Sequence, residues 1–163
     1  MNNVTFGGVN PATGKSFAYY ETIGGGMGAS PVSDGISGVH THMTNTRNTP
    51  VESLEHYLPI RIRRYCLRRG SGGRGRFTGG DGIIREFEFL APARVNILSE
   101  RRRFAPYGLR GGRPGKRGEN VLMDQGKKRI LGSKVSLSVK SGDRLILETP
   151  GGGGYGRPKK KTR

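Results

Sequence analysis

Residues 84–90 read "IREFEFL", and their alternation decides the fold. Phe87 and Phe89 fall on one side of an extended chain and Glu86 and Glu88 on the other, the period of two that marks a half-buried β-strand. The same period recurs in "KVSLSV" (134–139), where Val135, Leu137 and Val139 alternate with Ser136 and Ser138. In "IRIRRYCL" (60–67), Arg61 and Arg63 alternate with Ile60 and Ile62, which gives the strand one solvated or partner-facing side. "SFAYYETI" (16–23) also reads as a strand, "VLMDQGKKRIL" (121–131) as a hairpin, and "VKSGDRLILE" (139–148) as two strands joined by a tight Ser-Gly-Asp turn. Residues 57 to 150 are therefore expected to be mainly antiparallel sheet.

One helix interrupts this pattern. In "NTPVESLEHYLP" (48–59) Thr49 is placed as the N-cap, Pro50 at the first helical position and Glu52 as the second half of a capping box. Val51, Leu54 and Leu58 then share a face, and Pro59 ends the helix. The expected class is mainly β: antiparallel sheets, long glycine-rich loops and one short helix near residues 50–58. Residues 17–156 form the expected domain, residues 1–16 a poorly ordered leader and residues 157–163 a disordered basic tail.

The chain has 163 residues, enough for one domain with a modest core. It has no apolar run long enough for a membrane helix and no signal-peptide pattern at its start, so a cytoplasmic location is expected. Its single cysteine, Cys66, excludes an internal disulfide and reads as a small buried hydrophobe. Lys and Arg number 29 against 12 Asp and Glu, a net charge of +17 that favours nucleic acid, acidic proteins or phosphorylated ligands as partners. Five of these cations lie in the tail "RPKKKTR".

The 29 glycines are not scattered as in a linker. They gather in "GGGMG" (24–28), "RGSGGRGRFTGGDG" (69–82), "GLRGGRPGKRG" (108–118), "KSGD" (140–143) and "TPGGGGYG" (149–156). None fits a nucleotide loop. "GGVNPATGKS" (7–16) has five residues, one too many, between Gly8 and Gly14-Lys15-Ser16, and no apolar strand before it. Gly24, Gly26 and Ala29 match a dinucleotide pattern, but Pro31, Gly35 and Gly38 occupy the place of the helix that would face the pyrophosphate. "RRGSGGRGRF" (68–77) resembles an arginine-glycine RNA-binding box. It is a single pass between two strands, however, so a glycine-rich turn is the favoured reading. Gly151 to Gly154 are expected to hold a backbone form closed to other residues, near a substrate or subunit contact.

In "VHTHM" (39–43) His40 and His42 share one face of an extended segment, a spacing that ligates a metal when a carboxylate such as Asp34 folds in beside them. With no third ligand at a recognisable spacing, ordinary strand histidines are favoured. His56 is expected to face solvent.

The segments 19–55, 68–92, "LSERR" (98–102), "PYGLRGG" (106–112) and "GDRLILETPGGGGYG" (142–156) resemble, in series, the C-terminal part of the hydantoinase B family. That family includes the B subunits of ATP-dependent N-methylhydantoinases, the C-terminal half of 5-oxoprolinases and the alpha subunits of acetone carboxylases. The resemblance covers residues 17 to 158. It implies a subunit of an enzyme that opens a cyclic amide, or as the alternative a carboxylase, together with a hydantoinase A-like ATPase subunit that binds ATP and Mg. The His-x-x-Asp and His-Asp motifs of the family's N-terminal half, associated with a metal in the carboxylase branch, do not occur here. The chain thus resembles a C-terminal third, with the N-terminal segment of a B-type subunit as a further expected partner. Glu21, Asp34, His40, His42 and Asn45 are the candidate catalytic residues, being polar groups beside glycine loops in the matched stretch. Glu21 could equally pair with an arginine, and Asn45 could serve a turn. The rival from another class is a basic RNA-binding protein.

Overall fold

The computed structural model describes residues 1–41 and 44–158. Nine strands and one helix follow in chain order: β1 (Asn2–Val9), β2 (Ser16–Thr22), α1 (Val51–Tyr57), β3 (Ile60–Arg68), β4 (Gly82–Phe89), β5 (Ala93–Ser99), β6 (Glu119–Asp124), β7 (Lys127–Leu131), β8 (Lys134–Val139) and β9 (Arg144–Glu148). They form a four-stranded sheet, β2-β1-β5-β8, and a five-stranded sheet, β3-β4-β9-β6-β7. Every pairing is antiparallel.

The two sheets pack face to face around one apolar cluster. Val4 and Phe6 of β1 and Val95 and Ile97 of β5 meet Phe87 and Phe89 of β4 and Leu145 and Leu147 of β9. Phe6 is the pin: its ring stands edge-on to Phe89 at 5.4 Å and to Phe87 at 5.6 Å. Burial of each such ring contributes about 1.5–3 kcal/mol, and edge-to-face pairing adds about 0.5–1.5 kcal/mol. The alternation in "IREFEFL" thus has its expected inner face. Its outer face is an ion-pair ladder, in which Glu86 joins Arg64 and Arg144, and Glu88 joins Arg63.

Within the N-terminal segment 1–16, expected to be poorly ordered, residues 2–9 instead form β1, bonded on both sides, to β2 and β5. Gly7 and Gly8 disguise it in the sequence; a Cβ at Gly7 would stand 2.8 Å from the Phe17 carbonyl oxygen of β2. The Ser-Gly-Asp turn also differs from expectation. Gly142 takes φ +89° as a tight turn requires, yet the turn carries the chain from one sheet to the other, because β8 pairs with β5 and β9 with β4 and β6. The other hairpin is present: β6 and β7 pair across Gln125 and Gly126, both at positive φ.

Cys66 is exposed, and a β-bulge explains why. The pairing of β3 with β4 slips between Ile62 and Arg64, which sends Arg63 and Arg64 to the same outer face and reverses the alternation beyond them. Tyr65 and Leu67 then lie opposite Arg85 and Ile83, and Cys66 falls on the outer side opposite Ile84. The capping box of α1 does not form. Pro50 itself occupies the N-cap position with ψ 143°, and no side chain caps the helix, so its start lies one residue later than Thr49 requires. Leu54 is the residue α1 buries.

One charged pair lies inside the core. Arg85 is in phase with Ile83, Phe87 and Phe89 on the inner face of β4 and has no exposed surface. Its Nε and Nη2 donate to the Glu21 carboxylate of β2 at 3.1 and 3.3 Å, joining the two sheets. The Tyr65 ring covers the guanidinium at 4.2 Å. The Tyr19 hydroxyl donates to Glu21 at 2.8 Å; burial, reinforced by the Glu21 charge, pushes this phenol up to about 12. Removing one partner strands the other charge in the core. Arg85→Met alone is expected to cost about 3–5 kcal/mol, and the double change Glu21→Leu/Arg85→Met to recover most of that loss, measured by urea denaturation followed by circular dichroism.

Candidate active site: a cavity walled by glycine

Outside the two sheets, five stretches distant in sequence run side by side: 24–29, 35–39, 70–80, 107–115 and 150–156. Residues 151–154 occupy the middle and are buried. The Gly152 amide donates to the Gly80 carbonyl, Gly73 to Gly152, Ala29 to Gly153, and Gly154 to Arg113, all at 2.8–2.9 Å. This network satisfies backbone groups that no sheet satisfies. It demands glycine for closeness: a Cβ at Gly152 would stand 1.9 Å from the Met27 carbonyl oxygen, and one at Gly153 1.8 Å from that of Tyr107. None of Gly151 to Gly154 has positive φ, so contact, not an unusual dihedral, excludes a side chain, as at the crowded axis of collagen.

Asp81 anchors the neighbouring turn. Its carboxylate accepts from the amides of Gly70, Ser71 and Gly72 at 3.2, 2.8 and 2.8 Å and from the Ser71 hydroxyl. Burial works against the charged form, but these donors outweigh it and hold the carboxyl below the usual aspartate range. The arginine-glycine stretch is therefore fixed backbone within the bundle.

The bundle and the ends of β1, β2 and β5 enclose a cavity of about 540 Å³. Glycine main chain, from Gly24–Gly26, Gly28 and Gly151–Gly154, forms part of its wall; the other lining residues include His40, Thr41, Thr44, Glu100, Arg101 and Tyr107. Arg101, at φ +59°, has its guanidinium carbon 5.6 Å from the centre of the Tyr107 ring. The cavity thus offers a cation, an imidazole and an aromatic surface at a rigid, main-chain wall.

Of the candidate residues, His40 lines this cavity. Asp34 does not: its Oδ1 accepts from the Thr78 amide at 2.6 Å, and it borders a separate cleft. Glu21 is bound to Arg85 in the core. Asn45 is exposed and outside the cavity wall. His42 lies outside the described residues. The joint site of Asp34 with His40 is thus not assembled, and among the described residues no three His, Cys, Asp or Glu side chains converge as a metal would require. Glu100, Arg101 and Tyr107 were not singled out from the sequence, although "LSERR" and "PYGLRGG" contain them.

The sequence model of the Hydantoinase B/oxoprolinase family matches residues 1–158. The chain belongs to this family. The 5-oxoprolinase 1 of Arabidopsis thaliana is 52% identical to it over 157 residues, which cover 96% of this chain and 12% of that protein. Among solved structures, the ATP-dependent caprolactamase from Pseudomonas jessenii superposes with a TM-score of 0.75 at 25% identity, over 94% of this chain and 28% of that one. The nucleotide-free structure of acetone carboxylase shares the fold, with a TM-score of 0.66 at 17% identity, over 96% of this chain and 25% of that one. The chain spans 12 to 13% of the length of the first curated relatives it matches. Among the described residues, no helix is long and apolar enough to cross a membrane.

Two consequences are measurable. Gly152→Ala is expected to destabilise the chain by about 3 kcal/mol or more. Gly132→Ala, whose Cβ would meet nothing nearer than 3.8 Å, is expected to change the denaturation midpoint little. For Asp81, a depressed folded pKa means that its stabilisation is present above the unfolded carboxyl value of about 3.9 and is lost as pH falls through the folded value. Asp81→Asn should therefore be less stable than the native chain at pH 6–7, and the gap should narrow below about pH 4 in denaturation curves taken across pH.

Proposed function

We propose that this chain forms the C-terminal, glycine-bundle part of a B-type subunit in an ATP-dependent hydrolase that opens a cyclic amide, and that the ring binds in the glycine-walled cavity. The cavity carries the reading. Its volume suits a small ring, and the glycine stretches in its wall bring fixed main-chain dipoles close to a bound carbonyl without side chains between. The family and the likeness to a caprolactamase support the cyclic amide as substrate class.

The first glycine loop does not fit a nucleotide. The amides of Gly25, Gly26 and Met27 are spent on the carbonyls of Val39, Pro150 and Ile36, no helix follows them to face a phosphate, and no cluster of carboxylates stands ready for Mg among the described residues. ATP and Mg are therefore ascribed to an A-type partner subunit, and the rest of the B-type subunit to further chain. Within the cavity, Arg101 opposes negative charge that develops on the carbonyl oxygen of the ring amide as water attacks the carbonyl carbon. In this reading His40 takes the proton of that water and returns it to the ring nitrogen as the carbon–nitrogen bond breaks, Tyr107 holds the ring face, and the glycine part of the wall limits access of bulk water. The arrangement does not favour RNA, since the arginine-glycine stretch is fixed in the bundle, and the carboxylase alternative rests on the shared fold alone.

The test is reconstitution with an A-type ATPase subunit and the remainder of a B-type subunit, followed by ATP hydrolysis stimulated by 5-oxoproline, hydantoin or caprolactam. One of these lactams should stimulate turnover. Arg101→Ala should lower kcat/KM at least about tenfold, a loss of about 1.4 kcal/mol in transition-state stabilisation, while Asn45→Ala should leave it near the native value. Unchanged turnover in both Arg101→Ala and His40→Ala would remove the cavity from the reaction.

A further inference from the structure

A second cavity, of about 650 Å³, lies behind the first and is bordered by Arg68, Arg102, Lys116 and Arg117, with Ala105 and Leu131 as apolar surface. The segment 100–107 is the wall between the two. Glu100, Arg101, Pro106 and Tyr107 border the first cavity, and Arg102 and Ala105 the second.

Arg102 is held in place by neutral acceptors alone. Its Nε donates to Asn120 Oδ1 at 3.0 Å, and its Nη1 to Asn2 Oδ1 at 2.6 Å and to the Glu100 carbonyl at 2.7 Å. Its Nη2 is buried and has no hydrogen-bond acceptor. Burial, followed by the charge of Arg68, pulls the guanidinium down to about 10. Arg68 is itself bonded to Glu148 at 2.7 Å and to the Arg117 carbonyl at 2.6 Å. The one carboxylate in the cavity wall, Glu119, stands 3.7 Å from Lys128. Lys116 and Arg117 are exposed at the rim; Arg117 Nη1 donates to the Arg103 carbonyl at 3.2 Å, an exposed bond that a ligand can replace, and the long Lys116 side chain can close over a ligand.

A largely enclosed cation bonded only to neutral acceptors is costly; the Glu100 charge offsets this only in part, and a second guanidinium and two rim cations border the same space. We propose that this second cavity is an anion site that takes the phosphate group of a small ligand, with Arg102 and Arg68 as its fixed floor and Lys116 and Arg117 as its adjustable rim. The inference is independent of the reaction proposed for the first cavity. Three or more converging cations favour a multiply charged oxyanion over a single carboxylate.

Inorganic phosphate and pyrophosphate are the probes, titrated into the 163-residue chain by calorimetry at constant ionic strength in chloride. Saturable binding is expected, weakened at least tenfold in Lys116→Gln/Arg117→Gln. These side chains are exposed, so the fold is retained, which circular dichroism checks. A control that loses the same charge elsewhere, Lys15→Gln/Arg94→Gln, should bind as the native chain does. Binding that does not saturate, or that weakens equally in both double variants, would reduce the site to general attraction by a +17 chain and overturn the proposal.

Discussion

Main chain lying against main chain is the constraint on which the rest of this protein depends. Where five segments meet beside the sheets, neighbouring carbonyl oxygens already occupy the space a methyl group would need, as at Gly152 and Gly153. The stretch is secured by hydrogen bonds between segments and contributes almost no apolar side-chain burial. Its rigidity is therefore borrowed. The Phe6 cluster fixes the two sheets, the sheets fix the ends of the glycine segments, and the carboxylate of Asp81 pins the turn at residues 70–72. The glycine part of the cavity wall follows from this, because bare main chain is available only where glycine is already required.

Electrostatics is arranged around the same frame. On the outer face of the five-stranded sheet, Glu86 and Glu88 are matched by arginines of β3 and β9. Inside, Glu21 and Arg85 pair across the two sheets. A buried pair of this kind adds little net stability compared with apolar residues, but it penalises any register that separates the partners. Here it ties β2, which leads directly into the first glycine loop, to β4, which follows the second. The excess positive charge is left elsewhere, with Arg102 as its most enclosed member.

The strands were legible in the sequence because one face of each is buried and the period of two shows it. The alternation at residues 84–90 and 134–139 led directly to β4 and β8. What stayed hidden has local causes. Arg85 sits in phase with Ile83, Phe87 and Phe89, so periodicity already placed a charge in the core, but its partner lies 64 residues away in sequence. A single bulged residue in β3 reversed the orientation of Cys66. Two glycines, Gly7 close to β2 and Gly8 close to the Pro92 carbonyl before β5, made β1 look like a loop. In the candidate site, His40 was within reach of sequence reasoning. Arg101 and Tyr107 were not, because their approach to the cavity depends on a left-handed residue and on the packing of the bundle.

The bundle also sets the order in which the molecule can be built. Its segments come from opposite ends of the chain: the Gly26 amide bonds to Pro150, and Ala29 to Gly153. Closing loops of that length costs entropy before any contact repays it, and glycine, the residue with the most backbone freedom to lose, makes each closure dearer. Local pairs such as β6 with β7 carry no such cost. The pairing of β1 with β5 spans a long loop as well, but the sheets offset it by burying the apolar cluster; the glycine segments have few apolar side chains to do so, which puts their docking last, onto a frame that already exists. The cavity is then the final part of the molecule to acquire a shape and the first to lose it under stress, so a partner that seals the bundle would act on the lifetime of the site as much as on its chemistry.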